Sequence, residues 1–363
     1  MKKILLIIVI AIVSFFVLGS IGAYVYYQDG IKSVTSKNDE EIVSVPKFKV
    51  DSGETTRQII DKLYDAGLIK SKYAGYAYIK LHSNIVIQAG IYPLDSGMSL
   101  EEILNKMTRG DVLDESISVT FIEGKRLTYF VGVIHDKFGY SEEEIYATLS
   151  DKAYLQGLIN KYWFLTDEIL NDKLYYALEG YLYPDTYSFH KDASIKEIIE
   201  KLLSTTGVVL NDYKGEIEKS EYSVHEILTL ASIVELEGGN SNDRKGVAGV
   251  FYNRLKYGWS LGSDVTTYYG AKVDMSERDL YIDEINQVNA YNTRVAQMAG
   301  KLPVGPICNP GKESIVAVIE PEIHDYFYFV ADKTGKTYFT TTQGEHESKI
   351  AELKRNGLWY EYN

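Results

Sequence analysis

After Met1-Lys2-Lys3, apolar residues run without a charge from Ile4 to Tyr27. At about 1.5 Å per residue, a helix of this length reaches about 36 Å, enough to cross a hydrocarbon core about 30 Å thick with some tilt. The polarity then inverts. Gln28 to Val45 is rich in Lys, Ser, Asp and Glu and reads as a tether. Pro46 to Asp111 alternates short apolar runs with turn residues, the pattern of a small α/β module. Phe48-Lys49-Val50 is a short strand, and Asp51-Ser52-Gly53-Glu54 a turn. The helix that follows carries Ile59, Ile60, Leu63 and Tyr64 and ends at Gly67. A second helix precedes Gly90-Ile91-Tyr92-Pro93, and Ser99-Leu100-Glu101-Glu102 opens a third with a capping box. A strand, an EG turn and a helix recur in Val119 to Val131.

Ser141 to Thr206 has mostly helical periodicity, broken by Leu178-Glu179-Gly180-Tyr181-Leu182-Tyr183-Pro184-Asp185-Thr186-Tyr187, which reads as a structured loop or short strand. The window that organises the rest is Ser223 to Gly239. Ser223 and Glu226 form a capping box, and Gly238 and Gly239 stop the helix. Between them Ile227, Leu230, Ala231 and Val234 recur at i, i+3, i+4, i+7 as one apolar stripe. Glu235 falls on one shoulder of that stripe and Glu237 on the other. A second helix, capped by Asn240 or Ser241, carries Val247, Val250, Phe251 and Leu255 and ends at Gly258. Asp264 to Gly270 reads as a turn passing into a β-like Asp/Thr/Tyr segment. Leu302 to Gly311 holds three of the seven prolines and is stiff. Tyr326 to Val330 and Thr337 to Phe339 form a hairpin about Lys333-Thr334-Gly335, and a closing helix begins near Glu345-His346.

Composition narrows the functions. A net charge of −13 argues against nucleic acid, because phosphate binding needs a basic face. There are 31 Tyr against 12 Phe, and a flat apolar ring with a polar tip suits sugars as well as ordinary packing. The single cysteine, Cys308, excludes an intrachain disulfide and a CxxC metal site. It also leaves no cysteine near position 20 for a lipid. His225-Glu226 begins like a zinc-protease HExxH, but Thr229 stands where the second histidine belongs. No metal or cofactor is expected. Lys2 and Lys3 favour a cytoplasmic N-terminus, and Tyr24, Tyr26 and Tyr27 sit where an aromatic belt belongs. The expected organisation is an anchor over 1–27, a tether over 28–45, a small module over 46–115 and an α+β catalytic domain over 116–363, outside the cytoplasm. A cleaved signal peptide is the rival reading of the first segment.

EGYLYPDTY, ASIVELE, VFYNRL, SDVTTYYG, AYNT, LPVGPICNPG, YFYFVAD and YFTTTQGEH follow one another between Glu179 and His346. In that order they resemble the endolytic murein transglycosylase (YceG-like) family. The module over 46–115 is similar to the LysM type of glycan-binding domain. The resemblance implies a single-pass membrane protein that acts on peptidoglycan glycan strands. It implies cleavage of the β-1,4 bond between N-acetylmuramic acid and N-acetylglucosamine, leaving a 1,6-anhydromuramic end and ending strand elongation, with membrane-bound peptidoglycan synthases as partners. It carries the family's catalytic glutamate onto Glu235. Three positions depart from the family pattern: Ile122 where a proline precedes EG, Arg294 after YNT, and Val304 at a second proline.

The chemistry suits one acid on a packed helix. A carboxyl at the edge of an apolar face is partly desolvated, which favours its neutral form and lets it pass a proton to a leaving oxygen. Hydrolytic glycosidases normally need two carboxylates. A lytic transglycosylase needs one, because the sugar's own 6-hydroxyl closes on C1 and the reaction gains from proximity. Glu237 lies roughly 160° from Glu235 on an ideal helix and is a poor partner across one bond; a helix-end charge is its simpler reading. Around Glu235, the candidates for substrate contact are Asn253, Asp264, Thr266, Tyr269, Tyr291, Asn292 and Asn309. Asn253 suits an acetamido group, and Asp264 with Thr266 can bond a hydroxyl or orient the acid. Each has a bland alternative in local capping or packing, and Arg254 is expected to pair with an acid. The alternatives to a lyase are a hydrolytic muramidase and a non-catalytic wall-binding scaffold. Gly258-Trp259-Ser260-Leu261-Gly262 matches GxSxG, but that nucleophile elbow requires a strand before the serine, and a helix is expected there.

Overall fold

The computed structural model describes residues 2–35, 42–82, 84–113, 115–238 and 243–359, with side chains from residue 6 onward. It is a mixed α+β chain that divides into two compact units, Met1–Glu115 and Ser116–Asn363.

In the first unit, α1 (Lys2–Gly30) continues three residues past the expected end of the apolar run. Leu6–Gly30 is long and apolar enough to cross a membrane, and side chains such as Phe15 and Leu18 are exposed all around it. The element order is then β1 (Ser44–Val50), α2 (Thr56–Asp65), α3 (Lys72–Leu81), β2 (Gly90–Asp95) and α4 (Leu100–Arg109). β1 and β2 pair antiparallel, Phe48 opposite Tyr92. The helices start where side chains take up free N–H groups: Thr55 with Gln58, and Ser99 with Glu102, are reciprocal capping boxes. Ile59, Ile60, Leu63, Tyr92, Ile103, Leu104 and Met107 close the core. The tether reading needs correction. Gln28 to Gly30 is helical, Ser44 and Val45 belong to β1, and between them Ile31 O accepts from Leu100 N (3.0 Å) and Thr35 N donates to Ser96 O (3.0 Å). These backbone bonds hold the ends of the segment on the module; 36–41 lie outside the described residues.

The second unit begins with β3 (Ser116–Thr120), α5 (Leu127–Phe138), α6 (Glu142–Ser150) and α7 (Lys152–Lys161), followed by β4 (Thr186–His190) and α8 (Ile195–Asn211). β3 pairs antiparallel with β4, Val119 opposite Tyr187. The chain continues through α9 (Lys214–Ile217), α10 (Val224–Glu237), α11 (Arg244–Lys256), α12 (Asp264–Gly270), α13 (Ile282–Ile285) and α14 (Lys312–Ile319). It closes with the hairpin β5 (Tyr328–Ala331) and β6 (Thr337–Thr340), then α15 (Gln343–Arg355), which starts on Thr342 with a capping box to Glu345.

α10 is the axis of this unit and packs against α11, α12 and α14. Ser223 and Glu226 make the capping box, and Gly238 is the C-cap; Gly239 lies outside the described residues, as do Asn240 and Ser241. The single apolar stripe proves too narrow a description. Every residue from Ile227 to Val234 is buried. Thr229 and Ser232 are tolerated there because each hydroxyl donates to a carbonyl one turn back, His225 O (2.7 Å) and Thr229 O (2.7 Å). The segment 264–270 is helical, so a helix both precedes and follows the GxSxG match, and the strand an elbow needs is missing.

Candidate active site

Three rungs tie the proline-rich segment 302–311 along α10. His225 Nε2 meets Val304 O (2.8 Å), Ile307 N donates to Ser232 Oγ (3.0 Å), and Gly311 N donates to Glu235 Oε2 (3.0 Å). The rungs fall at positions 225, 232 and 235, on one face of the helix. Glu235 is therefore the last rung, where the buried helix surfaces. Its side chain is 5% exposed, so the expected desolvation is present.

A positive charge stands against it. Arg244 Nη2 donates to Glu235 Oε1 (3.0 Å), and Nη1 donates to the exposed Glu313 (3.1 Å). The positive end of α14, which Gly311 caps, also faces the carboxyl group. A Cβ on residue 311 would meet the carboxyl end of Glu123, which would have to swing aside. Gly124, at φ +73°, is the second close approach: a Cβ on it would lie 3.6 Å from Glu235 Cγ. Glu123 thus leans on the same glycine that holds Glu235. Burial, then the negative charge of Glu235, pushes the Glu123 carboxyl above its ordinary range, against the pull of Arg244.

Below this surface lies a knot of buried polar groups. Asn309 Oδ1 accepts from Gly180 N (3.0 Å) and Leu182 N (3.1 Å), while its Nδ2 donates to Lys125 O (3.2 Å) and Glu179 Oε1 (3.1 Å). Gly124 N donates to Asn309 O (2.9 Å). One side chain so joins the Glu123-Gly124 turn, the Glu179-Gly180 turn and the segment ending at Gly311. Glu179 is 2% exposed and also accepts from Leu127 N (2.8 Å) and Tyr269 Oη (3.0 Å). Burial raises its pKa to about 8, although those donors and Arg126 pull the other way.

The residues expected to contact substrate divide sharply. Thr266, Tyr269, Tyr291, Asn292 and Asn309 are all buried, at 0–3% exposure. Their polar atoms are engaged inside the protein. Thr266 Oγ1 donates to Ser263 O (2.7 Å) and Asn292 Nδ2 to Gln287 O (2.8 Å), while Tyr291 Oη accepts from Tyr175 N (3.2 Å). Tyr269 and Tyr291 stack edge-on with centroids 4.8 Å apart. A sugar cannot reach such groups directly, so the geometry makes them braces rather than groove walls. Asp264 is exposed and paired with Arg294, one of the three departures from the family pattern. Asn253 donates to His324 O (2.8 Å) and Tyr326 O (2.9 Å) and lies on the rim of a cavity of about 1190 Å³. That cavity opens at the opposite, N-terminal end of α10, beside Tyr222, His225 and Tyr252, some nine residues and about 14 Å along the helix from Glu235.

Two charge readings are corrected. Glu237 is no solvated helix end: it accepts from Ser263 Oγ (2.6 Å), and burial raises its pKa. Among the described residues Arg254 pairs with no acid directly; its guanidinium donates to Phe327 O (2.8 Å) and to Leu261 O. Glu123, Glu179, Arg244 and Glu313 are the residues that pattern reading passed over as parts of the site. The available signal was the pair of Glu-Gly turns, 123–124 and 179–180, whose glycines both have positive φ.

The profile of the YceG-like family matches residues 48–352. The chain is 34% identical over 330 residues to the endolytic murein transglycosylase of Bacillus subtilis (strain 168), covering 90% of this chain and 88% of that protein. It is 32% identical over 363 residues to the endolytic murein transglycosylase of Streptococcus pneumoniae serotype 2 (strain D39), covering 95% of this chain and 64% of that longer protein. In fold it is similar to the crystal structure of a YceG-like protein from Listeria monocytogenes, with a TM-score of 0.60 and 31% identity, over 86% of this chain and 100% of the other.

Proposed function

The chain belongs to the YceG-like family, and from that premise we propose that it is an endolytic peptidoglycan transglycosylase whose acid is Glu235. The observation that carries the reading is the position of this carboxyl. It sits where a buried helix reaches the surface, and a backbone N–H at 3.0 Å fixes one of its oxygens. A backbone donor on one oxygen and Arg244 on the other hold the carboxyl in one orientation, as a positioned acid requires. Glu235 protonates the glycosidic oxygen between N-acetylmuramic acid and N-acetylglucosamine, and the C1–O bond breaks. The muramic 6-hydroxyl then attacks C1, forming the O6–C1 bond, and returns its proton to Glu235. No water is consumed, and the carboxyl ends as it began.

The strand–helix–helix–strand order of β1, α2, α3 and β2 supports a LysM-like role in holding glycan. The charge-free run Ile4–Tyr27 within α1 supports a single-pass anchor with Lys2 and Lys3 on the cytoplasmic side and the second unit outside. The family resemblance supports release of strands beside membrane-bound peptidoglycan synthases. The decisive test is Glu235→Gln, which preserves shape and removes the proton. Isolated sacculi digested by the wild-type chain should release 1,6-anhydromuramic ends, read by mass spectrometry, and the variant should release none. Products one water heavier would identify a hydrolytic muramidase, and full complementation of a deletion by the variant would identify a scaffold.

A further inference from the structure

The charges around Glu235 do not balance. Arg244 is the one guanidinium there among the described residues, and it is only 12% exposed. Three carboxylates surround it. Glu235 and Glu313 are bonded to it at 3.0 and 3.1 Å. The third, Glu123, presses on Gly311 from the β3–α5 turn, beside the N–H that holds Glu235. The other titratable groups facing this cluster are Tyr183, from the segment before β4, and Cys308, from the segment along α10; burial raises the pKa of both, so they stay neutral near pH 7. Three carboxyl groups therefore share one guanidinium, and the like charges repel one another. The bonds put Arg244 directly on Glu235, whereas Glu123 acts on it through space.

We propose that Arg244 is a positioning residue that holds the Glu235 carboxyl and stabilises the carboxylate formed once its proton has left, with Glu123 and Glu313 as the opposing charges. This rests on the reading of Glu235 as the acid. The reaction asks one carboxyl to be an acid in its first step and a base in its second. A fixed cation stabilises the carboxylate that appears once the proton has gone to the leaving oxygen, two nearby anions offset part of that pull, and the 6-hydroxyl returns the proton. Glu313 holds the guanidinium from the far side, so the cation stays in place while Glu235 changes charge.

The test is the pH dependence of anhydromuramic-end formation by the full-length chain in detergent, on glycan strands isolated from sacculi. The alkaline limb of this profile marks loss of the catalytic proton. Arg244→Gln should move it up by about one pH unit, and the maximal rate should fall because the carboxylate product loses its partner. Glu123→Gln should move it down, and Glu313→Gln down by less, since that side chain is 64% exposed. Arg244→Lys should restore part of the shift, keeping the charge but not the two-pronged geometry. Opposite signs from charges of opposite sign are what a purely structural role would not give. An inactive Glu235→Gln together with limbs that stay put, or that move the same way in Arg244→Gln and Glu123→Gln, overturns the inference alone. Activity in Glu235→Gln overturns the acid assignment instead. If Arg244→Gln fails to fold, Glu123→Gln and Glu313→Gln decide: both must lower the limb, and an unmoved limb refutes the role.

Discussion

Glu179 is a buried acid whose titration should be visible in the stability of the whole second unit. Its pKa in the folded chain is about 8, against an ordinary value of 4.5, and burial is the main cause. The sign follows from proton counting. Between these two values the folded state holds a proton that the unfolded state has lost, so stability falls as pH rises. The contribution is complete below about pH 4.5 and is gone once the pH has passed through 8. At about 1.4 kcal/mol per pH unit, the whole interval amounts to roughly 5 kcal/mol, and the part between pH 5 and 7 to about 3 kcal/mol. Glu179→Gln imitates the neutral acid. Its Oε1 can still accept from Leu127 N and Asn309 Nδ2, and its Nε2 can donate to the Tyr269 hydroxyl. The variant should therefore fold and lack this slope. All three tryptophans, Trp163, Trp259 and Trp359, lie in the second unit, so fluorescence-monitored urea unfolding reports on it selectively. The stability of the variant relative to wild type should rise by about 1.4 kcal/mol per pH unit between pH 5 and 8. Parallel stability curves for the two chains across this range would refute the assignment of Glu179 as a neutral, buried acid.

Three further outcomes follow from the same region. Asn309→Ala strands the buried N–H groups of Gly180 and Leu182; at about 1–3 kcal/mol each it should cost about 3–5 kcal/mol, and a melting temperature within a degree or two of wild type would contradict the knot. Gly311→Ala puts a Cβ into the space of the Glu123 carboxyl end; that flexible side chain should swing aside while the residue 311 N–H keeps its bond to Glu235, so sacculus digestion and cooperative unfolding should both persist, and loss of digestion would show that Glu123 must stay against residue 311. Ser223→Ala removes one half of the capping box on α10 and the bond from Ser223 Oγ to Glu168 at 3.0 Å; the expected loss is about 1–2 kcal/mol, checked by the midpoint of urea unfolding.

What could be read from the sequence was whatever a few neighbouring residues decide. Ser99 with Glu102 and Ser223 with Glu226 start helices because the partners are three positions apart and need nothing else. The hairpin over 328–340 and the charge-free run inside the first helix belong to the same class. The position of Glu235 at a helix end beside an apolar face was legible for this reason too, and the family pattern pointed to the same residue. The surroundings of Glu235 were not legible, because they come from far away. Asn309 meets Gly180 across 129 residues, and Glu179 meets Tyr269 across 90. No periodicity carries such pairings; only the packed chain makes them. The tyrosines show the limit most clearly. A tyrosine in a sugar groove and a tyrosine bracing a buried carboxyl use the same apolar ring and the same hydroxyl, and they differ only in what covers the ring. For Tyr269 the cover is Tyr175, Tyr291 and the guanidinium of Arg126, 5.2 Å from the ring centre. Its hydroxyl ends on Glu179. Residue type had suggested contact with a ligand. Burial assigns the same side chain to the wall behind the site, where it keeps Glu179 in place, and through Asn309 keeps the two glycines against Glu235.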